Sequence, residues 1–179
     1  MVAIKRVKHM TNIIADKIKN ITEKFGLLPS HYLTEALLIA SYSLENQKGH
    51  KNNLQIVENK NANNRALANV GDRFLKLVLA EEGYKNWPTA KQISDFTNRN
   101  ESNINLAELG ILSLADGYCM KGNHACEFPS NKKDSTIIKL ATFVEAIIGA
   151  IYLDEYEKTG TAKTAREFIK KHIIFAPKI

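Results

Sequence analysis

The sequence predicts an all-α protein with one domain, and three observations support this. Apolar residues recur every three or four positions in most segments, as at Leu33, Leu37 and Ala40, which is the spacing of one helix face. Residues that cap helices, and glycines that end them, flank these segments. No segment alternates apolar and polar residues with the two-residue period of a strand. A chain of 179 residues is also long enough to bury a substantial core.

Cap and stop residues indicate where each helix begins and ends. Serine, threonine and aspartate supply N-cap side chains, and glycine commonly follows a helix C-terminus. The predicted helices are Thr11 to about Phe25, stopped by Gly26; 31–46, capped by Ser30; about Ala62 to Glu82, stopped by Gly83; 90–100, capped by Thr89; 104–116; a long helix capped by Asp134 or Ser135 that ends before Gly160; and 161–174, capped by Thr161.

Two segments between these helices are expected to be loops. Residues 46–64 are rich in Asn and Lys, and residues 117–133 contain Cys119, His124 and Cys126. The latter group is a weak zinc signal, because a structural zinc site usually has four ligands and no second ligand pair follows. Two cysteines and no secretory signal sequence indicate reduced thiols in an intracellular protein, while the compartment stays open.

The charge of the chain favours a polyanionic partner. The net charge is +6, and the basic residues of the last predicted helix include Lys163, Arg166, Lys170 and Lys171. Such a patch suits a polyanion, most commonly phosphate, although charge does not name the ligand; a solvated basic helix face explains the same residues equally well. No apolar run is long enough for a membrane span, so no membrane association is expected.

Asp72 and Glu145 are the residues with the strongest functional signal. Each is the only acid in an apolar helical stretch, 63–80 and 139–153 respectively, and a buried unpaired carboxylate is costly. Gly71 and Gly149 lie one and four positions away, which would allow the two helices to approach closely. Two such acids can bind a hard metal ion where the helices cross. Alternatively, each acid pairs with a nearby Arg or Lys such as Lys76.

Four sequence blocks resemble those of the ribonuclease III family. The segment NRALANVGDRFL (64–75) is similar to the family motif NERLEFLGDAVL, and ATFVEAIIGAIYLD (141–154) is similar to ADTFEALIGAIYLD. The segments EALLIASYS (35–43) and SNINLAELGIL (102–112) are similar to ALTHRSY and SNENLAELA. The blocks keep the family's order and extend over most of the chain, and the second motif is the more specific of the two.

The resemblance implies a ribonuclease III endonuclease-domain fold in a helical homodimer that forms a cleft for double-stranded RNA. Each subunit would use Mg²⁺, or Mn²⁺, to hydrolyse one strand, with Asp72 and Glu145 as metal ligands and catalytic residues. It further implies an N-terminal helical extension at 1–28, a ribonuclease III-like domain at 29–160 and a basic C-terminal helix of the same domain at 161–179. No double-stranded-RNA-binding domain is expected, so RNA contacts would come from the cleft and from Lys163, Arg166, Lys170 and Lys171.

The sequence departs from the family at three positions of the acidic site. Ala68 and Thr142 stand where the family commonly has acids, and Arg65 replaces a glutamate. The Mini-III branch of the family is similar in having alanine and threonine there. Since Mg²⁺ needs only one or two protein carboxylates, an endoribonuclease with Asn69, Thr142 and Arg65 around the two acids is expected. The alternative is a catalytically silent RNA-binding or ribosomal subunit of the same fold.

Overall fold

The computed structural model describes residue 19 and residues 21–36, 64–109 and 135–175. Within these ranges the chain is helical and contains no strand, which confirms the all-α prediction. The helices are α1 (His31–Ala36), α2 (Arg65–Asn86), α3 (Ala90–Glu101), α4 (Asn103–Leu109), α5 (Ser135–Thr159) and α6 (Lys163–Ile169), which a π-helical turn (Lys170–Ile174) extends. None of the described helices is both long and apolar enough to cross a membrane.

Several sequence predictions fall outside these ranges. They are most of the N-terminal extension, the loop over 46–63, and the segment with Cys119, His124 and Cys126. The division of the chain into an extension, a domain and a C-terminal helix therefore stays a prediction.

The long helix α5 is the centre of the fold. It packs against α2 along much of its length and also contacts α1, α4 and α6. Leu75 and Leu79 of α2 and Val144, Ile147 and Ile148 of α5 are completely buried. A helix with apolar residues around most of its circumference is stable only when other helices cover it, and this accounts for the position of α5.

Most helix ends follow the predicted signals. The backbone N–H of Leu33 donates to Oγ of Ser30 at 3.1 Å, and Thr89 caps α3 in the same way. Gly26 and Gly160 have φ values of +64° and +67°, a left-handed conformation that favours glycine at a helix end. These caps and stops are confirmed.

The prediction that α2 ends at Gly83 is wrong. The helix continues to Asn86, and Gly83 is buried inside it. A Cβ atom at position 83 would lie 2.9 Å from Cγ2 of Ile93 on α3. The glycine is therefore a point of close contact between α2 and α3, which periodicity alone does not distinguish from a helix stop.

The predicted cap of the last helix, Thr161, is also wrong. The N-cap position of α6 is Ala162, which makes no side-chain cap hydrogen bond. The carboxylate of Glu155, at the end of α5, instead accepts hydrogen bonds from the N–H groups of Thr164 at 2.8 Å and Ala165 at 3.3 Å. A negative charge is favourable at a helix N-terminus, so an acid from the preceding helix replaces the local cap.

Candidate active site

Helices α2 and α5 cross with their backbones in contact at Gly71 and Gly149. A Cβ atom at Gly71 would overlap the carbonyl oxygen of Glu145 and would lie 2.8 Å from the backbone nitrogen of Gly149. A Cβ atom at Gly149 would overlap the carbonyl oxygen of Leu67. Only glycine fits at either position, and the predicted close approach of these helices is confirmed.

This crossing brings Asp72 and Glu145 together. Asp72 directly follows Gly71, and Glu145 is the residue whose backbone Gly71 contacts. Burial, and after it the negative charge of Asp72, raise the pKa of the Glu145 carboxyl from 4.5 to about 7, and Lys76 partly opposes this change. The two acids are therefore close enough for the charge of Asp72 to act on Glu145, as expected for a pair of potential metal ligands.

Lys76 is the direct partner of Asp72. Its Nζ lies 2.9 Å from Oδ1 and 3.1 Å from Oδ2 of Asp72, one helical turn earlier on α2. The hydrogen bond to Asp72 is the main reason why the pKa of Lys76 is raised. Ion pairing with a nearby lysine, the alternative to metal binding, is thus present for Asp72.

Glu101 is a third acid near Lys76 and is not among the site residues predicted from the sequence. It ends helix α3, and its negative charge adds to the raised pKa of Lys76. Its Oε2 atom is buried and has no hydrogen-bond partner among the described residues. An acid at a helix C-terminus is electrostatically unfavourable, and this is the one sequence signal that could have singled it out.

The other residues predicted to lie around the two acids differ in their exposure to solvent. Ala68 is 5% exposed and contributes no polar atom, and Thr142 is partly buried one turn before Glu145 on α5. Asn69 is exposed on α2. Arg65 is exposed at the first residue of α2, about two turns before Asp72. Thr142 and Asn69 are the predicted polar neighbours on the turns adjoining the crossing.

Two of the basic residues predicted to bind RNA contact the C-terminal part of α2, away from Asp72. The Arg166 guanidinium donates to the Glu81 carboxylate, and Nζ of Lys170 lies 2.8 Å from Oε1 of Glu82. Because Glu82 is ten positions after Asp72, these contacts lie about 15 Å along α2 from it. Two predicted RNA-binding residues therefore hold the C-terminal segment on α2.

The other two basic residues are more accessible. Lys163 makes only a 4.0 Å pair with Glu167, and the side chains are 81% and 66% exposed. Lys171 is exposed on the π-helical turn. These two side chains are the better placed for contacts with phosphate.

The described residues contain no group of three or more His, Cys, Asp or Glu side chains arranged to hold a metal ion. The metal-binding capacity of the crossing consists of two carboxylates. This fits Mg²⁺, which usually keeps several waters and takes one or two carboxylates, better than an ion that requires a complete protein cage.

Comparison with known proteins places this crossing in a recognised domain. The sequence model of the family called ribonuclease III domain matches residues 65–156, from the start of α2 to near the end of α5. The chain belongs to the ribonuclease III family. The matched region contains Asp72, Lys76, Glu101 and Glu145, whereas the basic residues of α6 and the π-helical turn follow it.

Two curated ribonuclease III sequences are similar to the chain. Ribonuclease 3 of Idiomarina loihiensis is 33% identical over 137 residues, which cover 71% of this chain and 55% of that protein. Ribonuclease 3 of Pseudoalteromonas translucida is 27% identical over 146 residues, covering 79% and 58%. The chain thus spans somewhat more than half the length of these relatives. No solved structure matches it.

Proposed function

We propose that this protein is an endoribonuclease that hydrolyses double-stranded or structured RNA with Mg²⁺ or Mn²⁺. The observation that carries the proposal is the pairing of Asp72 and Glu145 at a glycine-lined helix crossing, inside the region that matches the ribonuclease III domain. A divalent cation next to both acids would compensate two like charges that burial otherwise makes unfavourable.

Asp72 and Glu145 are the residues that would hold the metal ion. Bound there, the ion would supply an activated water and charge stabilisation at the phosphate. Thr142, one turn from Glu145, and Asn69, on the exposed side of α2, are in position to hydrogen-bond water or substrate. The rigidity of the crossing would keep both carboxylates oriented without rearrangement, which is an advantage for a catalytic site.

RNA binding would depend on shape and on phosphate contacts. The deep major groove of A-form RNA hides the base edges, so contacts from Lys163 and Lys171 would position the duplex without reading its sequence. A homodimer would place two such sites on one duplex, each facing one strand. This assembly is proposed by analogy with the family, and light scattering should give about twice the 20.1 kDa mass of the chain.

One observation favours a second function, an RNA-binding subunit without nuclease activity. Lys76 already neutralises Asp72, and Ala68 and Thr142 lack the acids common at those positions in the family. An ion pair at the metal ligand is what a site that has lost its metal would contain. The same RNA-binding surface would then serve assembly or recruitment.

A cleavage assay separates these functions. Purified protein is incubated with long double-stranded RNA and Mg²⁺, beside the double variant Asp72→Asn, Glu145→Gln. Glu108→Gln removes an exposed acid from α4 and serves as the matched control. Cleavage by the wild type and the control, but not by the double variant, supports the nuclease. RNA binding of equal affinity in all three proteins, without cleavage, supports the silent subunit.

A further inference from the structure

Lys76 interacts with carboxylates from three helices. It contacts both oxygens of Asp72 on its own helix α2, at 2.9 and 3.1 Å. It interacts electrostatically with Glu145 on α5 and with Glu101 on α3. An ordinary surface pair between residues four apart involves one acid on one helix, so the environment of Lys76 is a property of the tertiary structure.

Charges of both signs act on Lys76. The charges of Asp72 and Glu101 raise its pKa, whereas that of Arg73, the residue after Asp72 on α2, lowers it. The contact with Asp72 is the direct one, because the ammonium lies against both carboxylate oxygens. A metal ion that binds Asp72 would have to displace this ammonium or share the carboxylate with it.

We propose that the Lys76 ammonium is a built-in cation that competes with a divalent ion for Asp72. The inference rests on the proposed function in one respect, because it takes the ion to bind at Asp72 and Glu145.

The side chain is suited to this role. The Lys76 side chain is 47% exposed, against 26% for Asp72, so it can swing into solvent when an ion arrives without disturbing the core. Lysine has a flexible stem and a compact charge, and both properties favour reversible displacement. Removing the ammonium should free both oxygens of Asp72 from this contact and should strengthen ion binding.

The test is a Mn²⁺ titration of RNA-free protein, followed by the electron paramagnetic resonance signal of free Mn²⁺. Wild type is compared with Lys76→Met, which keeps the length of the side chain and removes its charge, and with Lys76→Arg, which keeps the charge. Lys85→Met is the matched control, since Lys85 lies on α2 and pairs with Glu82 rather than with Asp72. Thermal unfolding of each variant verifies that it is folded.

The expected result is at least fivefold tighter Mn²⁺ binding in Lys76→Met than in wild type, with Lys85→Met and Lys76→Arg close to wild type. Equal affinity in Lys76→Met and wild type would overturn the inference.

A parallel cleavage assay of the wild type keeps this result separate from that of the proposed function. Cleavage by the wild type together with unchanged affinity in Lys76→Met leaves the nuclease intact and refutes the competition. No cleavage, together with Mn²⁺ binding gained in Lys76→Met, supports the competition and refutes the nuclease. No cleavage and no Mn²⁺ binding in either protein refutes both.

Discussion

Gly71 lies so close to Glu145 that a single methyl group on it would overlap the Glu145 carbonyl oxygen. The neighbouring Asp72 is held at the same crossing, and its charge contributes to the raised pKa of the Glu145 carboxyl after burial itself. The packing of α2 on α5 and the geometry of the candidate site therefore depend on the same contact. A change in one should be measurable in the other.

Gly149→Ala should destabilise the protein strongly. The added methyl group meets the Leu67 carbonyl oxygen, and a backbone obstacle forces the helices apart. We expect a loss of about 2 kcal/mol or more in the free energy of unfolding, measured by urea denaturation, together with weaker Mn²⁺ binding. Gly83→Ala is the control, because its nearest obstacle is a side-chain methyl group of Ile93 rather than backbone, and its cost should be smaller. Equal effects of both substitutions would contradict this account.

Glu145→Gln should stabilise the metal-free protein at neutral and higher pH. The pKa of Glu145 is about 7 in the folded protein against 4.5 ordinarily, so the folded state binds this proton more tightly than the unfolded state. Its contribution to stability therefore falls as the pH rises from about 4.5 to about 7. With EDTA present, the variant should exceed wild type by about 1 kcal/mol at pH 8.

The difference between Glu145→Gln and wild type should shrink as the pH falls toward 4.5 and should level off below it, where Glu145 is protonated in both the folded and the unfolded state. Urea denaturation at a series of pH values measures it. A difference that does not change with pH would show that the carboxyl is not desolvated in this way.

Lys170→Met should lower stability at pH 7. Hydrogen bonds from Lys170 and then Lys85 hold the pKa of Glu82 below its ordinary value, and Glu82 is only 8% exposed. This stabilisation is complete at pH values above the pKa that Glu82 has in the unfolded chain. It is lost as the pH falls through the lower pKa that Glu82 has in the folded protein. We expect a loss of about 0.5 to 1 kcal/mol at pH 7 that disappears in strong acid. Lys163→Met, whose pair with Glu167 is exposed, should have almost no effect.

RNA affinity should depend steeply on salt concentration. If Lys171 contacts phosphate, Lys171→Gln should reduce the slope of log affinity against log salt by about one unit. Lys170→Gln should change the slope less, because Lys170 already pairs with Glu82. Fluorescence anisotropy with a catalytically inactive variant and a labelled RNA duplex measures both. A wild-type slope near zero would exclude phosphate contacts as the source of affinity.

Local sequence signals were sufficient for the helical class, for the caps at Ser30 and Thr89, and for the stops at Gly26 and Gly160. These features depend on side chains acting within one turn of their own backbone. The crossing of the two acid-bearing helices was also predictable, because a glycine within helical sequence has a cost that close packing can justify. Gly83 has the same cost to helix stability, but the structure explains it by close contact with α3 and not by a helix end.

The sequence by itself thus determined that this is a helical protein with two acids on glycine-bearing helices. Only the tertiary structure decided which charges from distant segments meet: Glu101 close to Lys76, and Glu81 and Glu82 bound by Arg166 and Lys170. The physical reason is that a helix face follows from nearby residues, whereas the partner of a charge depends on which distant segment packs against it and on how much water that packing removes.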